Sequence, residues 1–104
     1  MHQLANGDQF KLIVVMQVSY DKKQLRTYVG SVRTVNTYAH DWKKYLLTHE
    51  TTKFTRSLYL IIKQGRVEIR DEHRGRPIYK YALYINGVLV SQSRGGITLY
   101  HAVE

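Results

Sequence analysis

The residues best suited to chemistry are few and scattered. Histidines stand at His2, His40, His49, His73 and His101, eight Asp or Glu are spread along 104 residues, and there is no cysteine. Without thiols, disulfides, thiolate metal sites and cysteine nucleophiles are excluded. On the helix expected between Asn36 and Thr48, His40 and His49 lie nine positions apart and so face opposite sides. They share no metal, and no closed site emerges from the remaining carboxylates. Asp71 and Glu72 adjoin His73, but neighbouring side chains on an extended chain point apart, so this cluster reads as a solvated turn. No nucleophile elbow and no phosphate loop are found. The expectation is a protein that is not an enzyme, with no metal and no cofactor.

Charge is the stronger signal. Sixteen Lys or Arg against eight Asp or Glu give a net charge of +8 and a pI near 9.8, the electrostatic footprint of a nucleic-acid binder. An acidic protein partner fits the same charge. Residues 1–35 carry five basic and two acidic side chains, and residues 53–104 nine and four, so the excess is spread over structured segments rather than a basic tail.

Arg74-Gly75-Arg76-Pro77 resembles the core of the AT-hook. The resemblance covers four residues and implies two arginines extended into the minor groove of A·T-rich DNA, with the glycine letting the backbone lie close to the groove floor. The same string also serves as a connection between strands. Ser93-Arg94-Gly95-Gly96 reads as a turn, with a nest of backbone amides for phosphate as the alternative.

Aromatic residues interleave with basic ones. If the hairpins around Gln64-Gly65 and Asn86-Gly87 are neighbours, with Ile69 opposite Tyr79, their outward face sets Tyr59 and Tyr84 among Lys63, Arg66, Arg70 and Lys80. Stacking rings beside phosphate-neutralising cations are how open sheets hold single strands. The candidate nucleic-acid-binding set is therefore Tyr59, Arg66, Arg70, Arg74, Arg76, Lys80, Tyr84 and Arg94. Ile61 and Leu89 on that face equally suit a dimer or another protein interface.

These residues must be positioned by a sheet. Phe10, Leu12, Val14, Met16, Val18 and Tyr20 alternate, and Ile13 and Val15 make the middle of the segment apolar on both faces, as in an interior strand. A turn at Asp21–Gln24 leads to a second strand from Leu25 to about Thr34, with Tyr20 facing Leu25. Tyr38, Trp42, Tyr45 and Leu46 then fall at i, i+4, i+7 and i+8, the stripe of one helix. Gln64-Gly65 pairs Leu60 with Ile69, and Asn86-Gly87 pairs Ile85 with Val88 and Leu83 with Val90. Ile97 to Val103 closes the chain as a last strand.

The expectation is an α+β fold in the order ββαβββββ, one helix on a curved, mainly antiparallel sheet of six or seven strands, curling toward a partial barrel. One domain spans residues 1–104, with residues 1–8 poorly ordered. The longest apolar run, Leu12–Met16, is too short to span a bilayer, and the first residues lack signal-peptide character, so a cytoplasmic protein is expected.

Overall fold

The computed structural model describes residues 4–19, 22–39, 42–53, 55–72, 77–78 and 80–93. Those residues form one antiparallel sheet of eight strands: β1 (Gln9–Ser19), β2 (Lys22–Ala39), β3 (Trp42–Glu50), β4 (Thr55–Lys63), β5 (Arg66–Asp71), β6 (Pro77–Ile78), β7 (Tyr81–Ile85) and β8 (Val88–Gln92). Across the sheet the order is β6-β5-β4-β3-β2-β1-β7-β8. β1 lies inside the sheet, between β2 and β7, in line with its two apolar faces.

The α+β expectation is overturned: among the described residues the fold is all-β, and no helix packs on the sheet. The segment expected as a helix forms the end of β2 and most of β3. Its residue types explain the outcome. Thr34, Val35, Thr37, Tyr38, Trp42, Tyr45 and Thr48 are β-branched or aromatic, the types that fit a pleated surface. In β3 the operative period is two: Tyr45 and Leu47 are buried, while Trp42, Lys44 and Leu46 lie on the other face and are only half-buried. The helical stripe arose because Tyr45 and Leu46, adjacent in sequence, are both apolar although they face opposite ways.

The sheet covers itself. Phe10, Leu12 and Val14 of β1, Tyr28 and Val32 of β2, Tyr45 and Leu47 of β3, Leu58 and Leu60 of β4, Ile69 of β5 and Leu83 of β7 form one buried cluster. Strands far apart in the sheet order share this core, so the sheet is curled into a half-barrel. Leu12, Val14, Val32, Leu47, Leu60, Ile69 and Leu83 have no exposed surface, and each contributes roughly 1.5–3 kcal/mol of transfer free energy. Leu4, ahead of β1, is buried in the same core. Gly7 N–H donates to the Val32 carbonyl, and Val32 N–H to the Asp8 carbonyl, both at 2.8 Å.

Both short hairpins have the turns their sequences require. Gln64 and Gly65 have φ of 51° and 76°, and Asn86 and Gly87 have 50° and 83°, the type I′ geometry that matches strand twist. Leu60 pairs with Ile69 and Ile85 with Val88 as expected. Three registers differ. β2 resumes at Lys22, and Ile13 faces Thr27 and Met16 faces Gln24, so the first turn is tighter than the four residues expected. Leu83 faces Ser91 rather than Val90, because a bulge intervenes between Leu83 and Tyr84. Ile69 faces Ile78, not Tyr79. The expected strand Ile97–Val103 lies outside the described residues.

β2 is the longest strand and is shared unequally. Its first half, as far as Ser31, pairs with β1, and its pairing with β3 begins only at Ser31 opposite Thr48. Gly30 stands where the two neighbours part. A Cβ there would come within 1.9 Å of the Thr48 carbonyl oxygen and 3.0 Å of the Phe10 ring, so only glycine admits this approach. On the Lys22 side of Gly30, β2 and β3 separate into a fork.

Candidate nucleic-acid interface

The outer surface of β3, β4 and β5 is a grid set by register. Trp42, Lys63 and Arg66 form one row, Lys44, Ile61 and Glu68 the next, and Leu46, Tyr59 and Arg70 the third. With strands ~4.8 Å apart, each row is about 10 Å wide. The Lys44 ammonium sits 3.9 Å above the centroid of the Tyr59 ring, and that of Lys63 sits 5.4 Å from the Trp42 ring. Such contacts hold a flexible cation over a π face. Arg70 is ion-paired with Glu68 on its own strand. The Tyr59 hydroxyl donates to Glu72 Oε1 at 2.9 Å, which fixes the outer edge of the ring.

The structure thus brings together Tyr59, Arg66 and Arg70 from the sequence-derived set. Tyr84 shares their outward orientation but lies on β7. Three strands stand between β4 and β7, which places Tyr84 about 19 Å away along the sheet. It packs against Ile13 and Ala82, and the Lys11 ammonium lies 5.8 Å from its ring. Lys80 precedes β7, and its carbonyl accepts from Val15 N–H at 3.0 Å. Arg74, Arg76 and Arg94 lie outside the described residues, and with them most of the AT-hook-like string; Pro77 begins β6 opposite Arg70.

Trp42 was missed as a surface residue because the helical reading placed it on the apolar stripe. The alternation through β3 is the signal that sets it on the outer face beside Lys44. Asp71 was also misread. It is not solvated in a turn but only 3% exposed, and it pairs with Arg56 of β4. Val67, Ile69 and Asp71 alternate along β5 on its inner face, a pattern visible in the sequence.

Among the described residues no group of three or more His, Asp or Glu is disposed to hold a metal ion. No helix in this part of the chain is long and apolar enough to cross a membrane. The chain matches no family model, no curated protein and no solved structure.

Proposed function

We propose that the protein is a small non-enzymatic nucleic-acid-binding domain, and that single strands lie across the outer face of β3, β4 and β5. The observation that carries this reading is the co-location of two aromatic rings, Trp42 and Tyr59, with Lys44, Lys63, Arg66 and Arg70 on one sheet surface. A base stacking on either ring displaces the lysine now held above it, and the released ammonium is then free to reach the phosphate on the same side. The overall charge of +8 favours the encounter with a polyanion. The reading includes a cytoplasmic location, which suits a chain without cysteine.

The test is a titration against single- and double-stranded DNA and RNA at two salt concentrations. Binding to single strands that weakens steeply with salt supports the proposal, and no binding at low salt overturns it.

A second reading has its own observation. Ile13 and Ala82 are buried on the outer face beneath Val15, Leu25 and Tyr84, and nearby Val29 is 53% exposed. An apolar strip beside basic residues suits an acidic protein partner or a second copy of the chain. Concentration-dependent sedimentation separates the second copy from the other readings.

A further inference from the structure

We infer that the fork between β2 and β3 is a binding site for a small phosphate-bearing ligand, distinct from the outer surface proposed for nucleic acid. The fork borders an open cleft of about 410 Å³ lined by Arg26, Thr27, Tyr28, His49 and Arg56, a size within the range of small-ligand sites. It opens at the inner end of the curl, on the opposite side of the sheet from Trp42 and Tyr59.

The walls are built by register. Val14 faces Arg26 and Leu12 faces Tyr28 across β1 and β2, which places both residues on the inner face. His49 faces Arg56 across β3 and β4. On the Lys22 side of Gly30 the ladder between β2 and β3 has ended, and the His49 imidazole takes its place. Its Nδ1 lies 2.7 Å from the Val29 carbonyl oxygen and 3.1 Å from the Val29 nitrogen, donating to one or accepting from the other according to tautomer. The Tyr28 and His49 rings meet edge to face, with centroids 5.3 Å apart. The back of the cleft is thereby fixed rather than loose.

The charges of this region are unequal. Arg26 and Arg56 bring two guanidinium groups, and Asp71 brings one carboxylate. Asp71 pairs with Nη2 of Arg56. Nε of Arg56 is enclosed, and no protein atom among the described residues accepts from it. Nε is thus out of reach of a molecule in the cleft, but the Arg56 side chain keeps 24% of its surface exposed and lines the cleft, where an anion gains from its charge. Arg26, anchored to Gln24 Oε1 at 3.3 Å and exposed, stands at the entrance as a second cation. Two guanidinium groups lining one cleft from different strands match the spread charge and multiple acceptors of a phosphate monoester better than one carboxylate. The Tyr28 and His49 rings leave an apolar wall for the group that the phosphate carries.

The test follows amide and imidazole resonances of the full chain by NMR during titration with inorganic phosphate, adenosine monophosphate, adenosine and acetate, with ionic strength held constant. Saturable shifts confined to Thr27, Tyr28 and His49 are expected with inorganic phosphate and adenosine monophosphate but not with adenosine. Arg26→Ala is expected to weaken both by about tenfold, the value of one charge-assisted hydrogen bond at a surface site. Arg56→Lys keeps a cation beside Asp71 and still loses the planar fork, so a similar loss is expected with the fold intact. A 5′-phosphorylated oligonucleotide that binds the fork more tightly than adenosine monophosphate assigns the phosphate to a strand end, and equal binding assigns it to a free metabolite; either outcome supports the site. No saturable shift with phosphate, an equal response to acetate, or unchanged affinity in Arg26→Ala overturns the inference. Trp42 and Tyr59 resonances report separately on the outer face, so failure at one site is not mistaken for failure at the other.

Discussion

Asp71 and Arg56 form an ion pair across β4 and β5, with the carboxylate almost wholly buried and the arginine side chain 24% exposed. Asp71 stands opposite Leu58 in the ladder, so it reaches Arg56 diagonally, two residues earlier in β4 on the inner face. The pair lies where the apolar core ends and the fork begins.

Arg56→Ala leaves that carboxylate buried without its cation. A destabilisation of about 2–3 kcal/mol is expected, toward the low side for a broken buried pair because the arginine retains contact with solvent. Removing both charges in Arg56→Ala/Asp71→Ala is expected to cost less than the two single changes added together. Urea unfolding of the four proteins in a double-mutant cycle measures the coupling, and strict additivity would show that the pair contributes nothing.

Gly30→Ala is expected to be among the most damaging small substitutions in the chain. The added methyl group would overlap the Thr48 backbone oxygen at 1.9 Å, and backbone cannot rotate out of the way as a side chain can. A loss on the order of 3 kcal/mol is expected, with β2 and β3 driven apart where the fork opens. Thermal unfolding checks the magnitude, and amide exchange at Ser31 and Thr48 checks the location.

The hairpins were legible because their information is local. Gln64-Gly65 and Asn86-Gly87 combine a turn type with matching apolar faces, and no distant contact is needed to choose the register. The segment from Asn36 to Thr48 was not legible in the same way. Its apolar positions satisfy a helical stripe and an alternating strand at once, and the choice is made by the neighbouring β1–β2 and β4–β5 hairpins, which provide edges for β3 to join. The candidate surface suffered from the same ambiguity. Tyr59, Arg66 and Arg70 were read correctly as facing one way because β4 and β5 form a hairpin. Joining Tyr84 to them required knowing which strand lies beside β5, and a single sequence does not encode strand order so directly.

Tyr45 makes alkaline stability testable. Burial pushes its phenol above the ordinary value of 10.0, opposed by a weaker backbone hydrogen bond with Leu4. The phenolate is therefore disfavoured in the folded state relative to the unfolded one. The associated stability is complete below pH 10 and is lost as the pH rises above 10 through the raised folded value. Tyr45→Phe is expected to move the alkaline unfolding midpoint to higher pH, at a small cost at neutral pH from the lost Leu4 contact. An unchanged alkaline midpoint would mean that other tyrosines govern the transition.

Trp42→Ala and Tyr59→Ala bear on the proposed function. Both residues are half-buried on the outer face rather than in the core, so each change is expected to cost about 1–2 kcal/mol of stability, below the 3–5 kcal/mol typical of a core aromatic. If bases stack on these rings, each substitution removes about 1–3 kcal/mol of binding to single strands, or about five- to a hundredfold in affinity. Tyr84→Ala is expected to leave that affinity nearly unchanged, because four strand spacings separate it from Tyr59. Lys63→Ala and Arg66→Ala are expected to act differently from the aromatic changes, each lowering the slope of log affinity against log salt by about 0.7 where it neutralises one single-strand phosphate. A filter-binding series across salt concentrations reads both effects. Equal losses in Tyr59→Ala and Tyr84→Ala would reject a platform centred on β3–β5, and a slope unaltered by Lys63→Ala and Arg66→Ala would place the phosphates elsewhere on the protein.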